Sequence, residues 1–317
     1  MADLTKQELY EHVGADTAQA EHIAKPQLSY ARDVARRFFS NRIAVLSVAV
    51  LALIAIMAVI GPFMTSYDYR TTDVAAVSEK LASEAGRAAL GPDAEHWFGV
   101  DSLGRDLWAR VWMGTRYSLL IGFAAALVQA IIGVLIGCVS GYFGGMVDVI
   151  IMRAVDIMDA IPYLIYVIII MMVLGSGFLP ILLALTLTGW LSMARLVRGQ
   201  ILALKSEDYI LAARNLDTSP VRIMLRHLIP NCMGSIIVSL SMAIPNAIFS
   251  EAFLSFLGIG LSAPLTSLGQ LISTGIQEMR NYPYQLIIPS AVISLLMLSL
   301  QLIGDGLRDA VDPKLRK

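Results

Sequence analysis

Charge is scarce in this sequence. Asp, Glu, Lys and Arg make up 15% of the residues, where an ordinary soluble domain carries roughly 25%. The few charges nearly cancel, to a formal −1, so no basic surface dominates and a nucleic-acid partner is excluded. Cysteine is almost missing. Cys138 and Cys232 sit in or beside apolar runs without metal-ligand spacing, which makes them packing residues rather than a disulfide framework. The four histidines are dispersed. There is no Gly-x-x-x-x-Gly-Lys-[Ser/Thr] phosphate loop, no His-Glu-x-x-His helix and no Gly-x-Ser-x-Gly elbow; Gly175-x-Gly177 and Gly258-x-Gly260 are too short to bind a nucleotide. No catalytic residue, metal ligand or cofactor of this chain is therefore assigned. A cleavable leader is not expected either, because the first forty residues are polar and charged and the first apolar run ends at Gly61-Pro62. That run reads as an uncleaved signal anchor.

Apolar residues are abundant, at 56% of the chain with a mean hydropathy of +0.67. Crossing the hydrocarbon core takes about 20 apolar residues in a helix, and six runs qualify: Ile43–Met64, Ser118–Val139, Ile157–Leu174, Phe178–Met193, Met233–Ser250 and Leu286–Ile303. Gly175-Ser-Gly177, followed by Pro180, turns the third and fourth into a hairpin. Six spans place both termini on one side. That side carries 17 of the 24 Lys and Arg residues, five of them (Lys25, Arg32, Arg36, Arg37, Arg42) at the entry to the first span, so the termini are expected in the cytoplasm. Gly133, Gly137 and Gly141 form a tandem GxxxG for close helix packing. Tyr30–Phe39, with Phe38 and Phe39 among its arginines, reads as a basic amphipathic interfacial helix.

A polar segment, Ser206–Pro230, is set between two membrane-length apolar runs. Tyr209, Ala212, Ala213 and Leu216 follow helical spacing, and so do Val221, Met224, Leu225 and Leu228. Between them Asp217-Thr218-Ser219-Pro220 is a stop and a new start, with Ser219 as N-cap and Pro220 at the first helical position. Two short amphipathic helices in an elbow either lie on lipid headgroups or pack against a partner.

Ionisable residues at membrane depth are functional candidates. Glu251 lies beyond Pro245-Asn246, where a kink is expected. These three residues either line a pathway or gate, or Glu251 is a buried hydrogen-bond partner of re-entrant backbone. Asp148, Arg153, Asp156 and Asp159 share a helical arc, and Arg153–Asp156 is an i, i+3 pair expected to neutralise itself. The spans carry too few carboxylates for a proton or sodium relay. A transporter built this way takes its energy from outside the chain.

Ala212-Ala213, a turn, and then Ile229-Pro230 resemble the EAA loop of bacterial ABC-importer permeases, with Leu211 where that family usually has Glu and Asp217 where it usually has Gly. Further segments, in order, resemble the "C" permeases of dipeptide and oligopeptide importers: Arg32-Asp33 to Asn41-Arg42, Tyr67-Asp68, His96-Trp-Phe-Gly-Val-Asp-Ser-Leu-Gly-Arg-Asp106, Gly141-Tyr-Phe-Gly-Gly145, Glu251-Ala-Phe-Leu-Ser-Phe-Leu-Gly258 and Gly304-Asp-Gly-Leu-Arg-Asp-Ala-Val-Asp-Pro313.

The resemblance implies an all-α membrane protein with six transmembrane helices, a type I (MetI-like) five-helix core plus an N-terminal helix. It divides the chain into a tail (1–41), a first span (42–64), an extracytoplasmic loop (65–117), a permease core (118–306) with a coupling loop (195–230), and a C-terminal tail (307–317). Its implied partners are a homologous second permease, two ATP-binding subunits holding ATP and magnesium, an extracytoplasmic substrate-binding protein, and the lipid bilayer of a bacterial inner membrane. Glu207, Asp208, Tyr209, Ala212, Ala213, Leu216, Asp217, Ser219, Met224 and Leu225 are then the residues that couple to the ATPase. Thr71–Glu95, with Val77, Leu81 and Ala85 spaced as a short surface helix, is read as a solvated insertion or a contact for the binding protein. Alternatives are the same architecture carrying nickel or another non-peptide solute, a self-sufficient carrier or channel, and a structural scaffold.

Overall fold

The computed structural model describes residues 30–72, 77, 78, 82 and 90–312; Leu81 and Ala85 of the predicted surface helix lie outside them. The described residues are helical, apart from loops and one isolated bridge between Val100 and Asp106. Helix α1 (Tyr30–Ser40) is amphipathic, as its arginines and phenylalanines imply. Phe38 is buried against Ala44 and Ala310, Phe39 is exposed, and Arg37 pairs with Asp33 at 3.2 Å. Asn41 ends this helix and starts α2 (Arg42–Ile60), its Oδ1 accepting from the amides of Ile43 and Ala44.

Four further helices are long and apolar enough to cross a membrane: α3 (Leu107–Phe143), α6 (Phe178–Leu204), α9 (Ile229–Phe256, continuous with the short turns before it) and α11 (Tyr284–Val311). Between α3 and α6 lie α4 (Gly145–Asp159) and α5 (Tyr163–Leu174), bent by 80° to each other. The single third span expected over Ile157–Leu174 is thus corrected to a broken pair. Pro162 stands at the N-cap of α5, and the residue before a proline is pushed out of the α region. Among the described residues the fold therefore has five helices of membrane length, or six spans when the bent pair is taken as one.

Helix α3 begins at Leu107, well before Ser118. Asp106 caps it, accepting from Ala109 N at 2.8 Å and contacting His96 Nδ1 at 2.9 Å. The two arginines that hide this first part of the helix in a hydropathy reading find partners. Arg116 donates to the carbonyls of Ala58 and Val59, and Arg110 reaches Thr266 and Asp101. The GxxxG residues do what their spacing implies. Gly133, Gly137 and Gly141 face Met193, Val197 and Ile201 of α6, and a Cβ at Gly133 would stand 2.8 Å from the Trp190 carbonyl. Cys138 and Cys232 are buried, free thiols in the core between α3, α6 and α9.

The acidic stripe on α4 also resolves into packing. Asp148 accepts from Ser140 Oγ at 2.5 Å and from both Nε and Nη2 of Arg198, at 2.5 and 2.6 Å. Asp159 and Asp156 receive Arg195 at 2.8 and 3.3 Å. Asp156 thus pairs with Arg195 of α6 rather than with Arg153, because α6 brings a guanidinium fork to two carboxylates at once.

Candidate functional site

The elbow forms as the sequence implies. Helix α7 (Asp208–Asn215) ends at Asp217, whose φ of 53° makes it the one non-glycine residue at positive φ among the described residues. Thr218 N donates to Ala213 O at 3.2 Å and Asp217 N to Arg214 O at 3.0 Å. This is the Schellman pattern that usually holds glycine at its left-handed position, and aspartate is one of the few other residues that tolerate that conformation. Pro220 opens α8 (Pro220–Ile223) with Ser219 in the extended N-cap conformation; the Ser219 hydroxyl makes no capping bond. One π-helical turn, Met224–Leu228, then leads into α9.

The two faces of the elbow are divided differently from the sequence expectation. Its underside, made by Ile210, Ala213, Ile223 and Leu228, is buried in one cluster with Cys138, Val197, Ile201 and Cys232. Arg214 sits 4.9 Å over the Tyr142 ring, Lys205 Nζ donates to Gly141 O at 3.1 Å, and Asn231 Nδ2 donates to Tyr209 Oη at 3.3 Å. Ala213, grouped by spacing with the coupling residues, belongs to this inner face at 9% exposure. Periodicity identifies an apolar side but not which neighbour covers it, and here the chain's own α3 and α6 do.

The outer face holds Tyr209, Leu211, Leu216, Val221 and Leu225, all exposed, with Leu216 at 80%. Glu207, Asp208, Ala212, Asp217 and Ser219 are exposed beside them, and Met224 is half-buried. Leu211, where a glutamate would add charge, extends the apolar area instead. A rigid helix pair fastened below and apolar above is a surface prepared for a partner.

A second feature lies inside the bundle. A cavity of about 310 Å³ opens between α3, α5, α6 and α9, lined among others by Gln129, Tyr163, Thr188, Ser192, Asn246 and Ser250. Closer to the elbow a cavity of about 520 Å³ lies between α6, α9 and α11, with Ser235, Gln301, Asp305 and Arg308 in its wall. Ser239 and Met242 line both. On α9 these positions form one stripe, Ser235, Ser239, Met242, Asn246 and Ser250, at steps of three and four residues. The serines inside an apolar run carried this signal in the sequence, but of the stripe only Asn246 stood out there.

The three pathway candidates separate. Asn246 is exposed in the cavity wall, whereas Pro245 is buried and α9 runs through it without a break. Glu251 is fully buried. It accepts from Ser118 Oγ and Ser255 Oγ, both at 2.7 Å, and Ser267 is its third hydroxyl partner. Ser267 caps α10 (Leu268–Glu278), accepting from Gln270 N, and Ser255 Oγ accepts from Leu261 N. Glu251 therefore ties α3, α9 and the returning segment together, which favours the buried-partner reading over the gate.

The chain and its fold match known proteins. Residues 133–317 match the family described as binding-protein-dependent transport system inner membrane component, and residues 29–82 match the N-terminal TM domain of oligopeptide transport permease C. The chain is 44% identical over 309 residues to the oligopeptide transport system permease protein OppC of Bacillus subtilis (strain 168), covering 98% of each chain. It is 42% identical to the dipeptide transport system permease protein DppC of the same organism, over 94% of this chain and 90% of the relative. With the OppC protein of Escherichia coli K12 it shares 42% identity over 89% of this chain and 91% of the relative. Among solved structures, an inward facing MetNI methionine ABC transporter superposes with a TM-score of 0.51 at 18% identity, over 63% of this chain and 97% of that one. That likeness concerns the fold.

Proposed function

We propose, from the premise that this chain belongs to the binding-protein-dependent transport system inner membrane components, that it is a permease subunit of an ATP-driven importer of short peptides. The relatives named above supply the substrate class, oligopeptides and dipeptides. The cavity lining supports it. Serine and threonine hydroxyls with Gln129 and Asn246 amides suit a solute whose backbone N–H and C=O groups each need a partner away from water.

The observation that carries the coupling half of this reading is the outer face of the elbow. Its underside is already filled by the chain itself, so Tyr209, Leu216, Val221 and Leu225 are free for a partner. We assign that partner as an ATP-binding subunit on the cytoplasmic side, with the N- and C-termini on the same side by the distribution of Lys and Arg. ATP-driven approach of two such subunits pushes the elbow, and the elbow's buried fastening to α3, α6 and α9 passes the motion to the helices that wall the cavities. A homologous permease completes the lining, and an extracytoplasmic binding protein delivers the peptide.

Reconstitution tests this function. Proteoliposomes holding this chain with its second permease and ATPase subunits are expected to accumulate a labelled tripeptide only when the binding protein is on one face and ATP on the other. Uptake by this chain alone along an ion gradient would overturn the reading in favour of a self-sufficient carrier.

A further inference from the structure

We propose that Met242 is a movable plug between the two cavities, resting on the reading that these cavities carry the solute. Its position is specific. Met242 lines the inner-bundle cavity and the one nearer the elbow alike, and it is the one large apolar side chain in the α9 stripe of Ser235, Ser239, Asn246 and Ser250. Everything else on that stripe offers a hydroxyl or an amide to a passing peptide.

Two residues of α11 seat the plug. Gln301 Nε2 donates to Met242 Sδ at 3.7 Å, a weak bond that a small motion of α11 against α9 can break. One turn further, Gly304 leaves room for the methionine tip, since a Cβ there would stand 2.8 Å from Met242 Cε and 3.2 Å from its sulfur. Methionine suits this task chemically. It is unbranched and flexible, and the Gln301 amide it leaves behind is exposed; an apolar constriction between wet cavities closes by excluding water. The plug opens when α9 and α11 slide and Met242 leaves its seat, so closure at rest depends on side-chain bulk and not on charge.

The test uses the assembled transporter in proteoliposomes loaded with labelled trialanine, measuring ATP-independent efflux. Met242→Ala is expected to raise that efflux roughly tenfold, since truncation opens the apolar constriction, whereas Met242→Leu, of similar bulk, keeps it near the parent level. Met242→Cys is expected to leak like the alanine variant until treated with methyl methanethiosulfonate, which leaves a methylthio group on the thiol and rebuilds a methionine-shaped side chain. The parent complex serves as control, because Cys138 and Cys232 are buried. Efflux from the alanine and cysteine variants equal to the parent's, in complexes that still take up trialanine with ATP, would overturn the plug, as would a leak that the reagent does not close. A parent complex without ATP-driven uptake would instead bring down the transport reading. If the alanine variant fails to assemble, the cysteine variant before and after the reagent decides alone.

Discussion

Leu216→Glu is expected to abolish ATP-driven peptide uptake while the permease still inserts and folds. Leu216 sits at the corner of the elbow at 80% exposure and touches none of the chain's own core, so a charge there costs the isolated permease almost nothing. Against an ATPase cleft the cost is large. Losing the burial of a leucine forfeits about 1.5–3 kcal/mol, and an unpaired carboxylate pressed into an apolar site adds several more. A combined loss of about 4 kcal/mol weakens docking by roughly a thousandfold. Yield and thermal unfolding of the permease report the first half of the expectation; uptake and peptide-stimulated ATP hydrolysis report the second. Ala213→Glu looks equivalent in the sequence but probes something else, because it drives a carboxylate into the cluster of Cys138, Val197, Ile201 and Cys232. Loss of folded protein is expected there. Normal uptake by Leu216→Glu would return the elbow to the lipid surface.

The second large effect lies at the other end of α9. Glu251→Ala is expected to prevent a stable fold, and Glu251→Gln to allow it. The alanine variant leaves the buried Ser118, Ser255 and Ser267 hydroxyls without their acceptor, at about 1–3 kcal/mol for stranded polar groups, and opens a side-chain-sized cavity that adds to the loss. Glutamine keeps an acceptor oxygen and the volume. Thermal unfolding of the purified permease ranks the variants, and transport separates the roles. If Glu251 fastens the returning segment, the glutamine variant transports normally. A folded glutamine variant without uptake would restore the gate reading.

Much of this was legible before any coordinates. Membrane class, helix number and the elbow followed from hydropathy and from turn chemistry, because these are local. The turn is the sharpest case: Asp217-Thr218-Ser219-Pro220 marked a stop and a new start, and the structure puts Asp217 there in the left-handed conformation. The glycine stripe on α3 named its purpose, and only its partner, α6, had to be seen. What failed was non-local. The start of α3 at Leu107 was hidden by Arg110 and Arg116, whose charges are met by groups distant in sequence: Asp101 and Thr266 for Arg110, and the α2 carbonyls for Arg116. The 80° bend before Tyr163 falls at Pro162, just after Asp159, and the apolar run Ile157–Leu174 was read straight across it. The inward face of the elbow could not be told from the outward one, because both are apolar at helical spacing. The serine stripe of α9 was in plain view, but serines in membrane helices often bond their own backbone, as Ser241 does to Val238, and the cavities beside it are made by other helices.

The central claim is that the exposed face of the elbow docks an ATP-binding subunit. Site-directed cross-linking tests it most directly. With cysteine introduced singly at Leu216, Leu225 or Ile210 in the full transporter, a short bifunctional reagent is expected to join the first two positions to the ATPase subunit, to a degree that changes when nucleotide is trapped. Cysteine at Ile210, on the inner face, is expected to give no such product. Cross-links to lipid probes alone at Leu216 and Leu225, with none to the ATPase in any nucleotide state, would contradict the account.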